Sequence, residues 1–184
     1  GKDADKPTQI WTQGETESSS AWFPTIDKSN QKTTQEIYMT VPDKYVTLSN
    51  GIMKSSTKES GGLRTDHWVM DKKHAPYLFF MGVGEYAIVK DKWRNIEVDY
   101  NEEKEYEPFA KQIFGNTPEM IEFFSKRLNY DYPWSKYAQI TGRDFVSGAM
   151  ENTTATLHQE SAQQKPGDLI DENRWEDTIA HELF

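Results

Sequence analysis

Two kinds of side chain in this sequence are suited to acid–base or metal chemistry. One is the adjacent pair His181 and Glu182 near the last position; the other is the pair of carboxylates Glu15 and Glu151. An imidazole can ligate a metal, and a carboxylate beside it can carry a proton. A carboxylate fixed near a cation makes a charge-assisted hydrogen bond, stronger than a neutral one. By residue type alone these features stay modest. His-Glu is a common dipeptide and reads as a helix-end histidine. Gly148-Ala149-Met150-Glu151-Asn152 reads as a loop, with Gly for backbone freedom and Asn for a turn. Thr12-Gln13-Gly14-Glu15 reads as a polar loop after a short strand. His67, His74 and His158 have no ligand-like spacing and read as ordinary polar histidines. The acidic run 101–107 reads as a solvated helix start, where acidic residues suit the helix dipole.

Composition narrows the classes. The chain has 184 residues, enough for one domain or parts of two. Mean hydropathy is -0.85, but aromatics reach 13%, too many for a disordered acidic tail. The net charge of -9 gives no basic footprint for nucleic acid and suits a cationic ligand, such as a substrate with a free ammonium group. There are no cysteines, which removes disulfides, thiolate metal sites and Cys nucleophiles. No apolar run approaches membrane-spanning length.

The elements that must position those residues follow from periodicity and turn signals. Residues 35–41 and 44–49 are short β-rich runs separated by Pro42-Asp43. Asn50-Gly51 is a tight-turn signal before a strand at 52–56, and Ser60-Gly61-Gly62 is a second, leading into 63–70. The apolar run 77–83 reads as a buried strand. Successive strands with tight turns and no helix between them predict an antiparallel sheet. Beyond 91–99 the character changes. Residues 104–114 and 117–128 read as helices, the second with Thr117 as N-cap, Pro118 in the first turn, and Ile121, Phe124 and Leu128 on one face. Residues 129–133 form a turn, 137–144 a strand and 159–171 a polar loop. A final helix covers 173–184, with Trp175, Ile179 and Leu183 on one stripe. The domain break is expected near residue 92.

The run 148–152 also resembles the exopeptidase signature of the zinc aminopeptidase family typified by aminopeptidase N, the gluzincin metallopeptidases. A chance match to five named residues in a chain of this length is about one in ten thousand, so the resemblance outweighs the loop reading. His181-Glu182-Leu183-Phe184 lies ~30 residues further on, on an amphipathic helix, in the order that family uses for His-Glu-x-x-His. Thr12-Gln13-Gly14-Glu15 is similar to the family's Thr-Gln-x-Glu run, and Phe23-Pro24 with Asp27 to its Phe-Pro-x-x-Asp segment, which is usually structural. The stretches 46–51 and 77–84, together with Tyr132-Pro133-Trp134 and Lys136-Tyr137, fall in family order, so the resemblance covers nearly the whole chain.

The resemblance implies a fold, roles and a cofactor. The fold is α+β: residues 1–92 would be the C-terminal part of an N-terminal antiparallel β-domain. Residues 93–184 would be the start of a thermolysin-like α+β catalytic domain, cut inside the zinc-binding helix, which makes the chain an internal fragment. Glu151 would grip the substrate's α-ammonium with Glu15 as second carboxylate, and Gln13 would line the first side-chain pocket. The backbone of Gly148, Ala149 and Met150 would pair with the peptide like an edge strand. His181 would be one Zn²⁺ ligand and Glu182 the general base. The second histidine would fall one residue past Phe184, with the glutamate ligand and an oxyanion-stabilising tyrosine later still. The expected activity is hydrolysis of the first peptide bond of peptides with a free N-terminus, residues 1–184 alone being inactive. The alternatives are a non-enzymatic scaffold on the same fold, or a bifunctional aminopeptidase and epoxide hydrolase. Ser20 stands where many relatives have Arg, Thr25 where many have Cys, and Thr153-Thr154 where Trp-Gly is common. Thr141-Gly142 interrupts a usually apolar strand.

Overall fold

The structure is a computed structural model that describes residues 6–169 and 175–184. It divides into two compact units, Gly1–Tyr86 and Ala87–Phe184. The division falls before the break expected near residue 92, because the strand that spans that position hydrogen-bonds into the second unit's sheet. No helix among the described residues is long and apolar enough to cross a membrane.

The first unit holds two three-stranded antiparallel sheets. One has the order β1 (Gln9–Trp11), β6 (Met81–Gly84), β3 (Val46–Ser49); the other is β2 (Thr33–Pro42), β5 (Leu63–His74), β4 (Ile52–Lys58). Side chains alternate on β2 and β5, so Met39, Val41, Trp68 and Met70 face inward while their neighbours face water. Asn50-Gly51 is the expected turn, with Gly51 at φ 75, but it does not close a hairpin. It carries the chain from one sheet to the other, since β3 pairs with β6 and β4 with β5. A Cβ on Gly51 would lie 1.9 Å from the Val69 carbonyl oxygen, so only glycine fits. The Asn50 side chain then bridges two segments: its Nδ2 donates to the Leu78 carbonyl at 2.9 Å, and its Oδ1 accepts from the Phe80 amide at 2.7 Å.

The run 77–83 is not one strand. Pro76–Leu78 is a 3₁₀ turn, and only Met81–Gly84 is a strand, because Pro76 preorganises the turn. Phe79, Phe80 and Val83 are nevertheless buried. Asp66, fully buried on β5, accepts from Thr47 Oγ1 and Ser56 Oγ at 2.6 Å each and from Arg64 Nε and Nη2 at 2.8 and 2.9 Å. Burial alone would raise its pKa; the Arg64, Ser56 and Thr47 donors outweigh that and hold it below the usual carboxylate value.

The second unit is built on a five-stranded mixed sheet. Its order is β10 (Ala149–Met150), β11 (Ala155–Gln159), β9 (Lys136–Gly142), β8 (Ile96–Glu103), β7 (Tyr86–Trp93). Strand β9 runs parallel to both β8 and β11, while β10 is antiparallel to β11. Sequence reading missed β7, β8 and β11, although Ile96, Val98 and Tyr100 alternate with polar residues along β8. The acidic run is likewise corrected: Asn101, Glu102 and Glu103 end β8 and are buried, and only the 3₁₀ turn Lys104–Phe109 after them is largely exposed. The expected helix 104–114 is this turn followed by α1 (Ala110–Phe114), Pro108 keeping its first half out of α-geometry. Helix α2 (Thr117–Leu128) has the expected bounds. Its N-cap is Asn116, and Thr117 Oγ1 donates back to the Phe114 carbonyl at 2.6 Å. Thr117, Ile121 and Ser125 are its buried residues, whereas Leu128 is exposed. Asn129 ends it in the left-handed conformation at φ 51, a role Asn tolerates. Helix α3 (Glu176–Leu183) buries Ile179. The first two residues of the expected final helix, and the last two of the expected polar loop, lie outside the described residues. The core of this unit gathers Trp93, Val98, Tyr100, Ile113, Phe114, Ile121, Tyr137 and Ile179.

Asp66→Ala removes the buried acceptor of four hydrogen bonds and should cost about 3–5 kcal/mol by urea unfolding. Because the Asp66 carboxyl is held below its unfolded value, its contribution is present above about pH 4 and is lost as pH falls through the lower folded value. The acid-side loss of stability should therefore shrink in Asp66→Asn. A variant as stable as the parent would remove this network from the account.

Candidate functional site

The second unit brings the signature run and the His-Glu pair to neighbouring elements. Ala149 and Met150 form β10, the outermost strand of the sheet order, paired on one side only, with Ala149 opposite His158 and Met150 opposite Leu157. The Gln159 amide donates to the Gly148 carbonyl at 2.9 Å, extending that pairing. Met150 is buried and anchors the strand, and Gly148 is exposed. The loop reading of 148–152 is thus half right: a short edge strand precedes a turn. Glu151 leaves the strand into solvent. It is exposed, with no hydrogen-bond or ion-pair partner among the described residues.

The chain then folds back immediately. The Ala155 amide donates to the Asn152 carbonyl at 2.9 Å, closing a turn with Thr154 at φ 65. Asn152 is buried, and neither Nδ2 nor Oδ1 has a partner among the described residues. Behind the turn, Lys136 Nζ donates to the Thr154 carbonyl at 2.9 Å and to its Oγ1 at 3.1 Å. Burial pulls the Lys136 ammonium down to about 7, against the opposing pull of Asp99 and Glu97.

Helix α3 packs beside β10 as well as α1 and α2. His181 lies exposed in its last turn, and Glu182 is half-buried. Glu182 is close enough to Tyr137 on β9 for its charge to act there. Burial pushes the Tyr137 phenol up, a bond to Thr156 Oγ1 at 3.0 Å opposes this, and Glu182 adds to the rise. Among the other histidines, His74 and His158 are buried with Nε2 on Gln35 and Gln139 respectively, and burial drives both down, to about 4 and about 3. They are neutral core residues. His67 lies 3.0 Å from Glu36.

In the first unit, Thr12 is tied to β6: the Met81 amide donates to Thr12 Oγ1 at 3.0 Å. Gly14 is buried where a Cβ would meet the Tyr77 carbonyl oxygen at 2.5 Å, and its own carbonyl accepts from Ser18 N at 2.9 Å. That tight passage leaves Gln13 partly buried, with Oε1 unpartnered, and Glu15 exposed. Glu15 lines a hollow of about 330 Å³ with Thr16, Glu17, Ser29 and Tyr77. Asp27 accepts from the Ser20 amide at 2.9 Å and Phe23 stacks on Phe79 at 4.9 Å, so this segment braces the loop.

A catalytic zinc ion takes three protein ligands and a water. Among the described residues no group of three or more His, Asp or Glu side chains is gathered to hold a metal ion. His181 stands exposed in the last turn of its helix, where an imidazole is open to a single-ligand role.

Comparison with known proteins agrees with this geometry. Residues 2–78 match the Peptidase M1 N-terminal domain, and residues 113–184 match the Peptidase family M1 domain. The chain belongs to peptidase family M1. Among its relatives is Tricorn protease-interacting factor F2 of Thermoplasma acidophilum, 27% identical over 96% of this chain and 22% of that protein. Aminopeptidase N of Oryctolagus cuniculus is 28% identical over 88% of this chain and 18% of that protein. Transcription initiation factor TFIID subunit 2 of Danio rerio is 24% identical over 76% of this chain and 12% of that protein. The chain therefore spans about a fifth of the length of the first two relatives.

Lys136 and Asn152 are site neighbours that sequence reasoning quoted within motifs but gave no role at the site. Lysine at the start of a strand reads as a surface residue, and its burial depends on β8 and β11 flanking β9 in space. The depressed Lys136 pKa gives a signed expectation. Between about pH 7 and about pH 10 the unfolded chain holds a proton that the folded one does not, so raising pH stabilises the folded state. Urea midpoints should rise across that window in the parent relative to Lys136→Met. Parallel pH profiles would show that Lys136 titrates normally.

Proposed function

We propose that the protein carrying this chain is a zinc-dependent aminopeptidase that removes N-terminal residues from peptides with a free amine. The observation that carries this reading is Glu151: an exposed, unpaired carboxylate at the end of an edge strand, beside the helix that bears His181 and Glu182. In this reading a peptide adds to the open side of β10, using the backbone of Gly148, Ala149 and Met150 as a strand would. The ammonium at its first residue then meets the Glu151 carboxylate in a charge-assisted hydrogen bond. Only a chain end presents that charge, so the contact sets which peptide bond is placed for cleavage.

His181 contributes one ligand to a Zn²⁺ site that needs further ligands. When bound, the ion supplies Lewis-acid polarisation of a carbonyl and lowers the pKa of a water. Glu182, one residue along the same helix, takes the proton from the attacking water and delivers it to the leaving amine. The same reading assigns Glu15 to amine recognition and Gln13 to the side chain of the first residue. The membership in peptidase family M1 and the aminopeptidase among the relatives support it.

A second reading is an interaction module, favoured by the Danio rerio relative, whose name refers to transcription initiation. The presence of Glu151, His181 and Glu182 together supports the peptidase.

Kinetics of the full-length protein separate the roles. Glu151 contacts an amine present in both ground and transition states, so Glu151→Gln should raise KM. Glu182→Gln should lower kcat by about a hundredfold or more, with KM changed little. N-acetylated peptides, which lack the positive charge, should be cleaved poorly by the parent. Equal cleavage of acetylated and free peptides, or indistinguishable kinetic profiles for the two variants, would refute the assignments.

A further inference from the structure

The turn behind Glu151 is built against local preference. Thr154 is β-branched, yet it adopts φ 65, a left-handed conformation that favours glycine. Such a residue persists where its surroundings over-determine it. The surroundings here are two donors that make three hydrogen bonds to one residue. The Ala138 amide donates to the Thr154 carbonyl at 3.0 Å, and Lys136 Nζ donates to that carbonyl at 2.9 Å and to Oγ1 at 3.1 Å. The Ala138 amide is a strand group with a fixed direction. The Lys136 side chain is the element that reaches both the carbonyl and the hydroxyl. Lys136 and Thr154 are both buried, so neither Lys136 contact can be replaced by bulk water. The turn closes through Asn152 and Ala155, so its first residue directly follows Glu151. A rotation at Thr154 would release that closure and swing the end of β10.

We propose that Lys136 is a positioning residue for amine recognition. Its buried side chain holds Thr154 in the left-handed conformation that closes the 152–155 turn, and this fixes where strand β10 delivers the Glu151 carboxylate. The inference rests on the reading of Glu151 as the group that meets the substrate ammonium. Lys136 does not touch substrate in this account; it acts through Thr154 and the turn. Burial already draws the ammonium down to about 7, as expected of a lysine packed for contact rather than for charge.

The test uses the full-length protein, with an aminoacyl-anilide as the free-amine substrate and its N-acetyl form as the control. Lys136→Met should raise KM for the free-amine substrate about tenfold while kcat stays within about threefold. Thr154→Gly supplies a residue that takes a positive φ without help, so it should leave KM near the parent value. In the double variant it should recover most of the loss caused by Lys136→Met. A residue with a general stability role would not be rescued by a change at residue 154. Hydrogen exchange gives a readout independent of activity: the Ala155 amide should exchange at least about tenfold faster in Lys136→Met and return toward the parent rate in the double variant. If Lys136→Met does not fold, Thr154→Ala takes its place. It keeps the unfavourable φ and loses the hydroxyl contact, and should raise KM severalfold where Thr154→Gly does not. A free-amine-selective parent whose KM and Ala155 exchange are both unchanged in Lys136→Met, or in which Thr154→Gly gives no rescue, overturns the positioning role alone. A parent that cleaves the acetylated substrate equally well overturns the reading of Glu151, and this inference with it.

Discussion

All seven residues of β9, Lys136–Gly142, are buried, so every polar group on that strand has to find its partner inside the protein. This constraint organises the second unit. Lys136 reaches the Thr154 turn. Gln139 donates to Thr117 Oγ1 at 2.9 Å, holding the start of α2, and its Oε1 accepts from His158 Nε2 at 2.8 Å on β11. Thr141 Oγ1 donates to Gln163 Oε1 at 2.9 Å, and the same oxygen accepts the Glu103 amide at 2.8 Å. One strand thus ties together the helix before it, the strands on either side and the segment that follows β11. A parallel strand flanked by two others loses access to water on both edges, and side-chain bonds of this kind are what make its polar residues affordable.

The site residues show the opposite pattern. Glu151 and His181 are exposed and Glu182 is half-buried, while Lys136 and Thr154 behind the 152–155 turn are buried and paired. A carboxylate left unpaired in solvent is available to an incoming cation without first breaking an ion pair. Contrast Glu103, also acidic and on the same sheet, which is engaged by Arg143 through Nε at 2.6 Å and Nη2 at 2.7 Å and is therefore structural. Glu102 beside it is fully buried with both oxygens unpartnered, and burial, then the charge of Glu103, push its pKa well above the ordinary value. Three glutamates of this unit thus have three separate fates, decided by burial and by the nearest cation rather than by residue type.

Helix α2 was legible because its signals are local: Pro118 in the first turn, a buried Ile121, and Asn129 at the left-handed end. The antiparallel strands of the first unit were legible for the same reason, their turns being marked by Asn50-Gly51 and Ser60-Gly61-Gly62. The destination of those strands was not. Nothing local tells β3 to pair with β6 rather than with β4, since the choice is made by the packing of two sheets. Strands β8 and β11 were missed although apolar and polar residues alternate along them, Ile96, Val98 and Tyr100 on the one and Ala155 and Leu157 on the other; most of their polar residues are buried as well, and that burial is set by strands and helices distant in sequence. Among the site residues, Glu151 and His181 could be singled out only through motif resemblance. By residue type alone each read as a loop or helix-end residue, and the exposure that makes them available is a property of the fold. Lys136 was read only as part of a stretch in family order, and its burial was not legible, because a lysine signals burial only once its neighbours in space are known.

The central claim is that β10 is a substrate-pairing edge ending in an amine-binding carboxylate. The direct measurement is a crystal structure of the full-length protein with a non-hydrolysable peptide analogue that carries a free N-terminus. The account predicts the analogue's backbone hydrogen-bonded along residues 148–150, with its ammonium nitrogen within about 3 Å of a Glu151 carboxylate oxygen. An analogue bound with its amine away from Glu151, or with the open side of β10 covered by another part of the protein, would contradict it.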